Sequence, residues 1–192
     1  IYKRHEDGIV LVDEESCSGY RFCAEACPYK RIYFNESRNL AQKCISCFPR
    51  LETGVAPACI RQCPGRAQHV DYMDNEDGHI YKLVHKWKVA LPLRPDFDCE
   101  PNMFYVPPLS PAAFNESGEF DESRSRIPIG YLRELFGPEV DAALATLQEE
   151  REKVAAGGES ELIDILIARR WHDLMGPFTV DPAKMDPQPA TR

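Results

Sequence analysis

Eight cysteines are the residues of this 192-residue chain whose type and spacing point most directly to chemistry, and seven of them fall into two bunches. The first bunch reads Cys17-Ser-Gly-Tyr20-Arg-Phe-Cys23-Ala-Glu-Ala-Cys27-Pro28. It follows the run C-x2-C-x2-C-x3-C-P that holds iron-sulfur cubanes, with Tyr20 where the second cysteine would stand. In such a run three thiolates bind corners of one cluster and the fourth reaches a neighbouring one. A phenol at one corner leaves one iron without its sulfur ligand, so the expected product is a 3Fe-4S centre. Tyr20 is then a non-ligand at the vacant corner.

The second bunch is Cys44-x2-Cys47, an eleven-residue insertion, and Cys59-x3-Cys63-Pro64. Soft thiolate sulfur selects iron-sulfur clusters, zinc or Cu(I), so spacing has to arbitrate. The competing class is a zinc-stabilised interaction module without redox activity, because paired C-x2-C is the usual zinc signature. Zinc knuckles, however, need neither a proline after the last ligand nor two runs in tandem. A disulfide framework is weaker, since a chain of this length can bury a core without staples and the cysteines are bunched rather than spread. A third class is a self-contained two-cluster ferredoxin. It would use Cys17, Cys23 and Cys63 for a 3Fe-4S cluster and Cys27, Cys44, Cys47 and Cys59 for a 4Fe-4S cluster. Cys99, in D-F-D-C-E-P-N, stands apart and reads as a semi-buried thiol.

The elements that must hold these ligands are short. Gly8–Asp13 is a β-branched apolar run leading into the first bunch; Ile32-Tyr33-Phe34 follows it, and His69-Val70-Asp71-Tyr72 follows the second. Strand, ligand run, helical turn and strand is the order of a ferredoxin-like module. Pro28 and Pro64 turn the chain away after the last ligand. Gly19, Gly54 and Gly65 stand where backbone N–H groups could approach sulfide, or where plain turns are needed. Ile1-Tyr2-Lys3 echoes Ile32-Tyr33-Phe34, which suggests a further Cys-Pro run just upstream and a chain that is a piece of a longer polypeptide.

Beyond the ligands, residues 80–87 read as a short helix, and the proline-rich stretch from Leu91 to Pro111 as an extended arm lying on a partner. Residues 115–126 read as an exposed loop. A helix opens at Pro138 and runs to about Ala155, with Val140, Leu144 and Leu147 on one face. A second runs from about Ser160 to Arg170, with Leu162, Ile163, Leu166 and Ile167 on its apolar face. The expected fold class is α+β. A ferredoxin-like bis-cluster module fills residues 1–88, the arm and loop 89–126, a helical region 127–175 and a tail 176–192.

Apolar content of 43% is ordinary for a globular chain, and no apolar stretch approaches the ~20 residues needed to cross a bilayer. The net charge of −8 is uneven: residues 1–88 hold 13 Lys and Arg against 12 Asp and Glu, residues 89–192 hold 10 against 19. The cysteine half is therefore relatively basic. Arg21, Lys30, Arg31, Lys43, Arg50, Arg61 and Arg66 lie within a few residues of ligands, where they could offset anionic cluster-thiolate units. An acidic chain without an aromatic-basic repeat argues against nucleic-acid binding. His5, His69, His79, His85 and His172 form no C-x-H pair of the Rieske type, and read as surface or packing residues. Neither a nucleophile motif, nor a glycine-rich phosphate loop, nor a catalytic carboxylate pair is present, so substrate chemistry is expected elsewhere.

The stretches C-S-G-Y-R-F-C-A-E-A-C-P-Y-K-R-I-Y-F-N and K-C-I-S-C-F-P-R-L-E-T-G-V-A-P-A-C-I-R-Q-C-P-G-R closely resemble the iron-sulfur beta subunit of respiratory nitrate reductase and its relatives in the dimethyl sulfoxide reductase family. These relatives include perchlorate, chlorate and selenate reductases, ethylbenzene and dimethylsulfide dehydrogenases, and nitrite oxidoreductases. Y-K-L-V-H-K-W-K-V-A-L-P-L-R-P and E-P-N-M-F-Y-V-P-P-L-S-P look like the periplasmic branch, and the resemblance runs from Ile1 to about Arg170. It implies four cysteine runs, of which this chain carries the last two, paired crosswise with runs upstream of Ile1. Cys17 and Cys23 would then hold the 3Fe-4S centre and Cys27 a neighbouring 4Fe-4S cluster. Cys44, Cys47 and Cys59 would hold a second 4Fe-4S cluster, and Cys63 a third. The implied partners are a molybdopterin catalytic alpha subunit, a haem b gamma subunit and the N-terminal half of the same polypeptide. The implied location is periplasmic, the alternative being the cytoplasmic face of the inner membrane.

Overall fold

A computed structural model of the chain describes residues 1–169 and 174–179, which divide into two compact units. Residues 1–64, with the described residues from Pro177, form the first; residues 65–176 form the second. His172 and the tail beyond Thr179 lie outside the described residues.

The first unit is built from short hairpins and single helical turns, as cysteine runs broken by Gly and Pro dictate. Strand β1 (Tyr2–Lys3) pairs antiparallel with β2 (Val10–Leu11), the part of the expected Gly8–Asp13 strand that is realised. Helix α1 (Phe22–Ala26) carries the end of the first cysteine run. It hands over to the hairpin of β3 (Ile32–Asn35) and β4 (Leu40–Lys43), in which Ile32 faces Lys43 and Asn35 faces Leu40. Helices α2 (Phe48–Leu51) and α3 (Ala58–Arg61) occupy the second run. Between them Val55 forms a parallel bridge with Thr179, fixed by Thr179 N–H to Gly54 O (2.8 Å) and Ala56 N–H to Thr179 O (2.9 Å). The start of the tail is thus tied to the backbone on either side of Val55.

This unit buries little: Ile9, Leu11, Leu40, Val55, Ala56 and Ile60 are its principal core residues. Meanwhile Tyr20, Phe22, Tyr33 and Ile45 are exposed. So small an apolar core leaves much of the stabilisation of such a unit to bound metal or covering protein.

The second unit has the larger core, centred on Leu83, Val89, Leu132, Val140, Leu147 and Leu162. A short helix α4 (His79–Tyr81) continues as a π-helical turn over Lys82–Lys86, the element expected at 80–87. Strands β5 (Leu91–Pro92) and β6 (Phe104–Tyr105) pair across a 3-10 turn at Pro95–Phe97. The stretch from Leu91 to Pro111 therefore folds back on its own unit: Leu91 is buried, Pro107 is fully buried, and Phe104 and Leu109 pack on the core. Prolines flag the absence of ladder donors, but they do not prevent apolar neighbours from burying themselves.

The expected loop at 115–126 is largely a hairpin of β7 (Ala112–Phe114) and β8 (Phe120–Ser125), closed by Asn115 and Glu119 and braced by stacked Phe114 and Phe120 rings 4.8 Å apart. Helix α5 (Ile129–Phe136), which periodicity did not flag, follows Pro128 and stops at Gly137 with φ +76°. Helices α6 (Val140–Ala155) and α7 (Glu161–Ile167) lie where two helices were expected, α7 ending three residues short of Arg170. The expected strand at 69–72 is irregular instead. Val70 N–H donates to Leu174 O (2.9 Å), and the Asp71 carboxylate is held by the Asn75 amide, so the backbone has local side-chain partners rather than a neighbouring strand. No described helix is long and apolar enough to cross a membrane.

Candidate metal centre

All seven bunched cysteines belong to the first unit, and all eight in the chain are free thiols, which excludes the disulfide framework. Cys17 lies in the loop after β2, Cys23 inside α1, and Cys27 at its C-cap, where its N–H closes the helix on Cys23 O (3.1 Å). Cys44 follows β4, Cys47 caps α2, Cys59 lies in α3 and Cys63 just beyond it. Cys44 and Cys59 are exposed and the other five half-buried. Thiols at an open face are accessible to an inorganic cluster and not locked away in packing.

The backbone around these cysteines presents donors to sulfur. Ala41 N–H, on β4, points at Cys17 Sγ (3.4 Å), and Ser46 N–H points at Cys44 Sγ (3.4 Å). Donation from Ala41 and then from Gly19 holds the Cys17 thiol below the ordinary cysteine range, favouring the thiolate that ligates metal. Left-handed residues punctuate both runs: Arg21 (φ 66°), Ser46 (φ 52°) and Cys47 (φ 51°). Such reversals turn successive N–H groups into one concavity, a backbone arrangement suited to anionic iron-sulfur units. Soft sulfur donors, free thiols and N–H groups aimed at them together fit an iron-sulfur cluster.

The glycines divide. Gly19, at φ +72°, turns its N–H towards the Cys17 sulfur. The N–H of Gly54 goes instead to Leu51 O (2.9 Å), ending a helical turn, and Gly65 has open space around it. Tyr20, between Cys17 and Cys23, is exposed and stacks on Phe22 with ring centroids 6.3 Å apart.

The basic residues divide too. Arg21 lies over the Phe34 ring (4.0 Å) and pairs with Glu36 (2.7 Å); Lys30 donates to Glu25 O (2.6 Å). Arg66, in the second unit, donates to the Ala168 and Arg169 carbonyls at the end of α7. Lys43 donates to the carbonyls of Val10 and Cys44, and its ammonium interacts with the sulfurs of Cys44 and Cys27. Burial lowers its pKa, against the opposing pull of those sulfurs. The net charge of the run gave no means of telling Lys43 from its neighbours.

Cys99 is exposed rather than semi-buried, in the second unit, with its Sγ on Phe97 O (3.3 Å). His69 and His79 pack together in that unit, ring centroids 5.8 Å apart. Among the described residues, no compact group of three or more His, Cys, Asp or Glu side chains is arranged around a single metal ion.

Comparison with known proteins bears on the same residues. Residues 1–73 match the family of 4Fe-4S dicluster domains. The chain is 53% identical over 174 residues to the dimethylsulfide dehydrogenase subunit beta of Rhodovulum sulfidophilum, covering 91% of this chain and 53% of that protein. It is 52% identical over 178 residues to the selenate reductase subunit beta of Thauera selenatis, with 92% and 54% covered. It is 34% identical over 194 residues to the respiratory nitrate reductase 1 beta chain of Escherichia coli, with 71% and 38% covered. The chain spans about half the length of the first two relatives.

Proposed function

From the premise that this chain belongs to the family of iron-sulfur beta subunits of these reductases and dehydrogenases, we propose that it is an electron-transfer subunit of a molybdenum oxidoreductase complex. It relays electrons one at a time between a molybdopterin catalytic alpha subunit and a haem or quinone-side partner, a haem b gamma subunit. The observation that carries this is the set of seven free cysteines in two proline-terminated runs, with backbone donors at Cys17 and Cys44.

Cys17 and Cys23 hold a 3Fe-4S centre, Cys27 a neighbouring 4Fe-4S cluster, Cys44, Cys47 and Cys59 a second, and Cys63 a third. The remaining ligands come from upstream sequence. When bound, the clusters supply sites of stepwise one-electron oxidation and reduction. This chain's residues fix the ligand set, donate hydrogen bonds to sulfur and limit solvent access, which set the potentials. Substrate chemistry belongs to the alpha subunit, and the exposed aromatic residues Tyr20, Phe22 and Tyr33 suit covering by neighbouring protein. A periplasmic location completes the proposal, to be tested by fractionation.

The full-length subunit, purified anaerobically in its complex, should contain iron and sulfide and give EPR signals of both cluster types. A colourless, zinc-containing protein would overturn the reading. Cys59→Ser and Cys63→Ser should perturb different 4Fe-4S signals; loss of the 3Fe-4S signal with Cys63→Ser would defeat the crossed ligand assignment and favour the self-contained arrangement.

A further inference from the structure

A lysine on a hairpin ordinarily extends its stem into water, since a mobile, fully hydrated ammonium is the lower free-energy state. Lys43 does not. It is the last residue of β4, directly before Cys44, and is only half exposed. Its ammonium folds back to donate to the Val10 carbonyl on β2, the strand that leads into Cys17. It also donates to the carbonyl of Cys44 (2.8 Å). Two backbone carbonyls, one 33 residues upstream of Lys43 and one next to it in sequence, therefore fix one cation beside the ligand loops.

What that cation faces matters. Its electrostatic partners are the sulfurs of Cys44 and Cys27, one from each cysteine run. Arg21 and Arg66 instead have their guanidinium groups on Glu36 and on the Ala168 and Arg169 carbonyls just beyond α7 respectively. Under the ligand assignment proposed above, Cys27 and Cys44 serve different clusters. A positive charge held near both stabilises the reduced state of each, because reduction adds one negative charge to the cluster-thiolate unit.

We propose that Lys43 is a charge-tuning residue, tethered by the Val10 and Cys44 carbonyls so that one fixed cation raises the reduction potentials of two adjacent clusters in the relay. The inference rests on the cluster assignment of the preceding section and deepens it. It concerns charge and position: substitution by a neutral donor should act differently from substitution by another cation.

The test is a potentiometric EPR titration of the full-length subunit in its complex, unmodified and with Lys43→Gln or Lys43→Arg. Glutamine retains N–H donation to a carbonyl but carries no charge. It should shift the one-electron equilibrium of two 4Fe-4S signals towards the oxidised state by about three- to tenfold, about 30–60 mV to lower potential. Arginine should leave the midpoints near those of the unmodified subunit. Unchanged midpoints with glutamine would overturn the proposal while leaving the relay reading intact. Equal shifts with glutamine and arginine, or failure of both variants to assemble clusters, would also overturn it, by making the tether structural and the charge incidental. Unmodified subunit without iron-sulfur signals would overturn proposal and reading together.

Discussion

The backbone N–H of Ala41 meets the sulfur of Cys17 at 3.4 Å, across 24 residues of chain. The donor belongs to β4, so the hairpin of β3 and β4 backs the loop that carries Cys17. It touches that loop a second time at its turn, where Asn39, itself left-handed at φ 54°, lies against Gly19. Hairpin and ligand loop thus hold one another: the strand supplies a donor to the thiolate, and the turn supplies a wall behind it. This explains how a unit with few buried residues can still define the position of a cysteine.

Gly19→Ala tests that support. Gly19 has φ +72°, and a Cβ placed on it would stand 2.6 Å from the Asn39 carbonyl oxygen, a backbone atom that cannot step aside alone. Left-handed strain and the displaced turn together should cost about 2–3 kcal/mol. The expected outcome is a weakened 3Fe-4S signal per protein, with the 4Fe-4S signals of Cys44, Cys47 and Cys59 less affected. Full 3Fe-4S occupancy in the variant would show that the turn yields freely.

Tyr20→Cys addresses the proposed vacant corner. The Tyr20 side chain is exposed and stacks on the equally exposed ring of Phe22, so its removal should leave the packing of the unit intact. A thiolate there completes the four-cysteine run and should convert the 3Fe-4S centre to 4Fe-4S, adding about one iron per subunit and lowering the potential. Iron analysis and loss of the oxidised-state 3Fe-4S EPR signal measure this. Retention of that signal at unchanged intensity would mean that the missing corner is set by something other than the residue at position 20.

The cluster-domain character of residues 1–73 was legible because cysteine spacing is a local code: Cys17 to Pro28 and Cys44 to Pro64 each declare themselves within a short stretch. Hairpin β3–β4 was legible at Ile32–Phe34 for the same reason. Elements whose stability comes from distant partners were not. Helix α5 has eight residues between Pro128 and Gly137, too few for periodicity to speak, and is held by Leu132 and Phe136 in the core. The stretch 91–111 looked like an arm because its prolines are visible in sequence while the burial of Leu91 and Pro107 is not. Hairpin β7–β8 hid behind polar residues suited to turns, and the tether of Lys43 to Val10 joins residues that no local pattern connects.

His69 should give the second unit a pH dependence of its own. Burial first, and the neighbouring His79 second, push its pKa from 6.5 to about 4, and its Nδ1 is buried without a hydrogen-bond partner. Between those values the unfolded chain binds a proton that the folded unit excludes. Stability is therefore fully present above about pH 6.5 and falls as pH drops towards 4, by at most about 3 kcal/mol. Urea unfolding at pH 7.5 and pH 5 should show a larger loss in the unmodified protein than in His69→Asn, which cannot titrate. Parallel losses in the two proteins would assign the acid sensitivity to other groups.

Ser160→Ala probes the N-terminal cap of α7, in the second unit. Ser160 is 3% exposed, and its hydroxyl accepts from the Ile163 N–H (3.2 Å), satisfying one orphan donor of the helix. The next residue, Glu161, is pushed down to about 2 by hydrogen bonds from Lys86 and Lys82, pinning the same turn to the π-helical segment. Leu162 and Ile165 follow in the core, so fraying here exposes apolar surface as well as backbone. Alanine should cost about 1 kcal/mol, a fall in Tm of about 2–4 °C for a protein of this size, while threonine should retain most of the cap. Cluster EPR signals should be unchanged in both variants. A fall in Tm with threonine equal to that with alanine would show that the site senses side-chain size in a tight space, and that the hydroxyl contributes little.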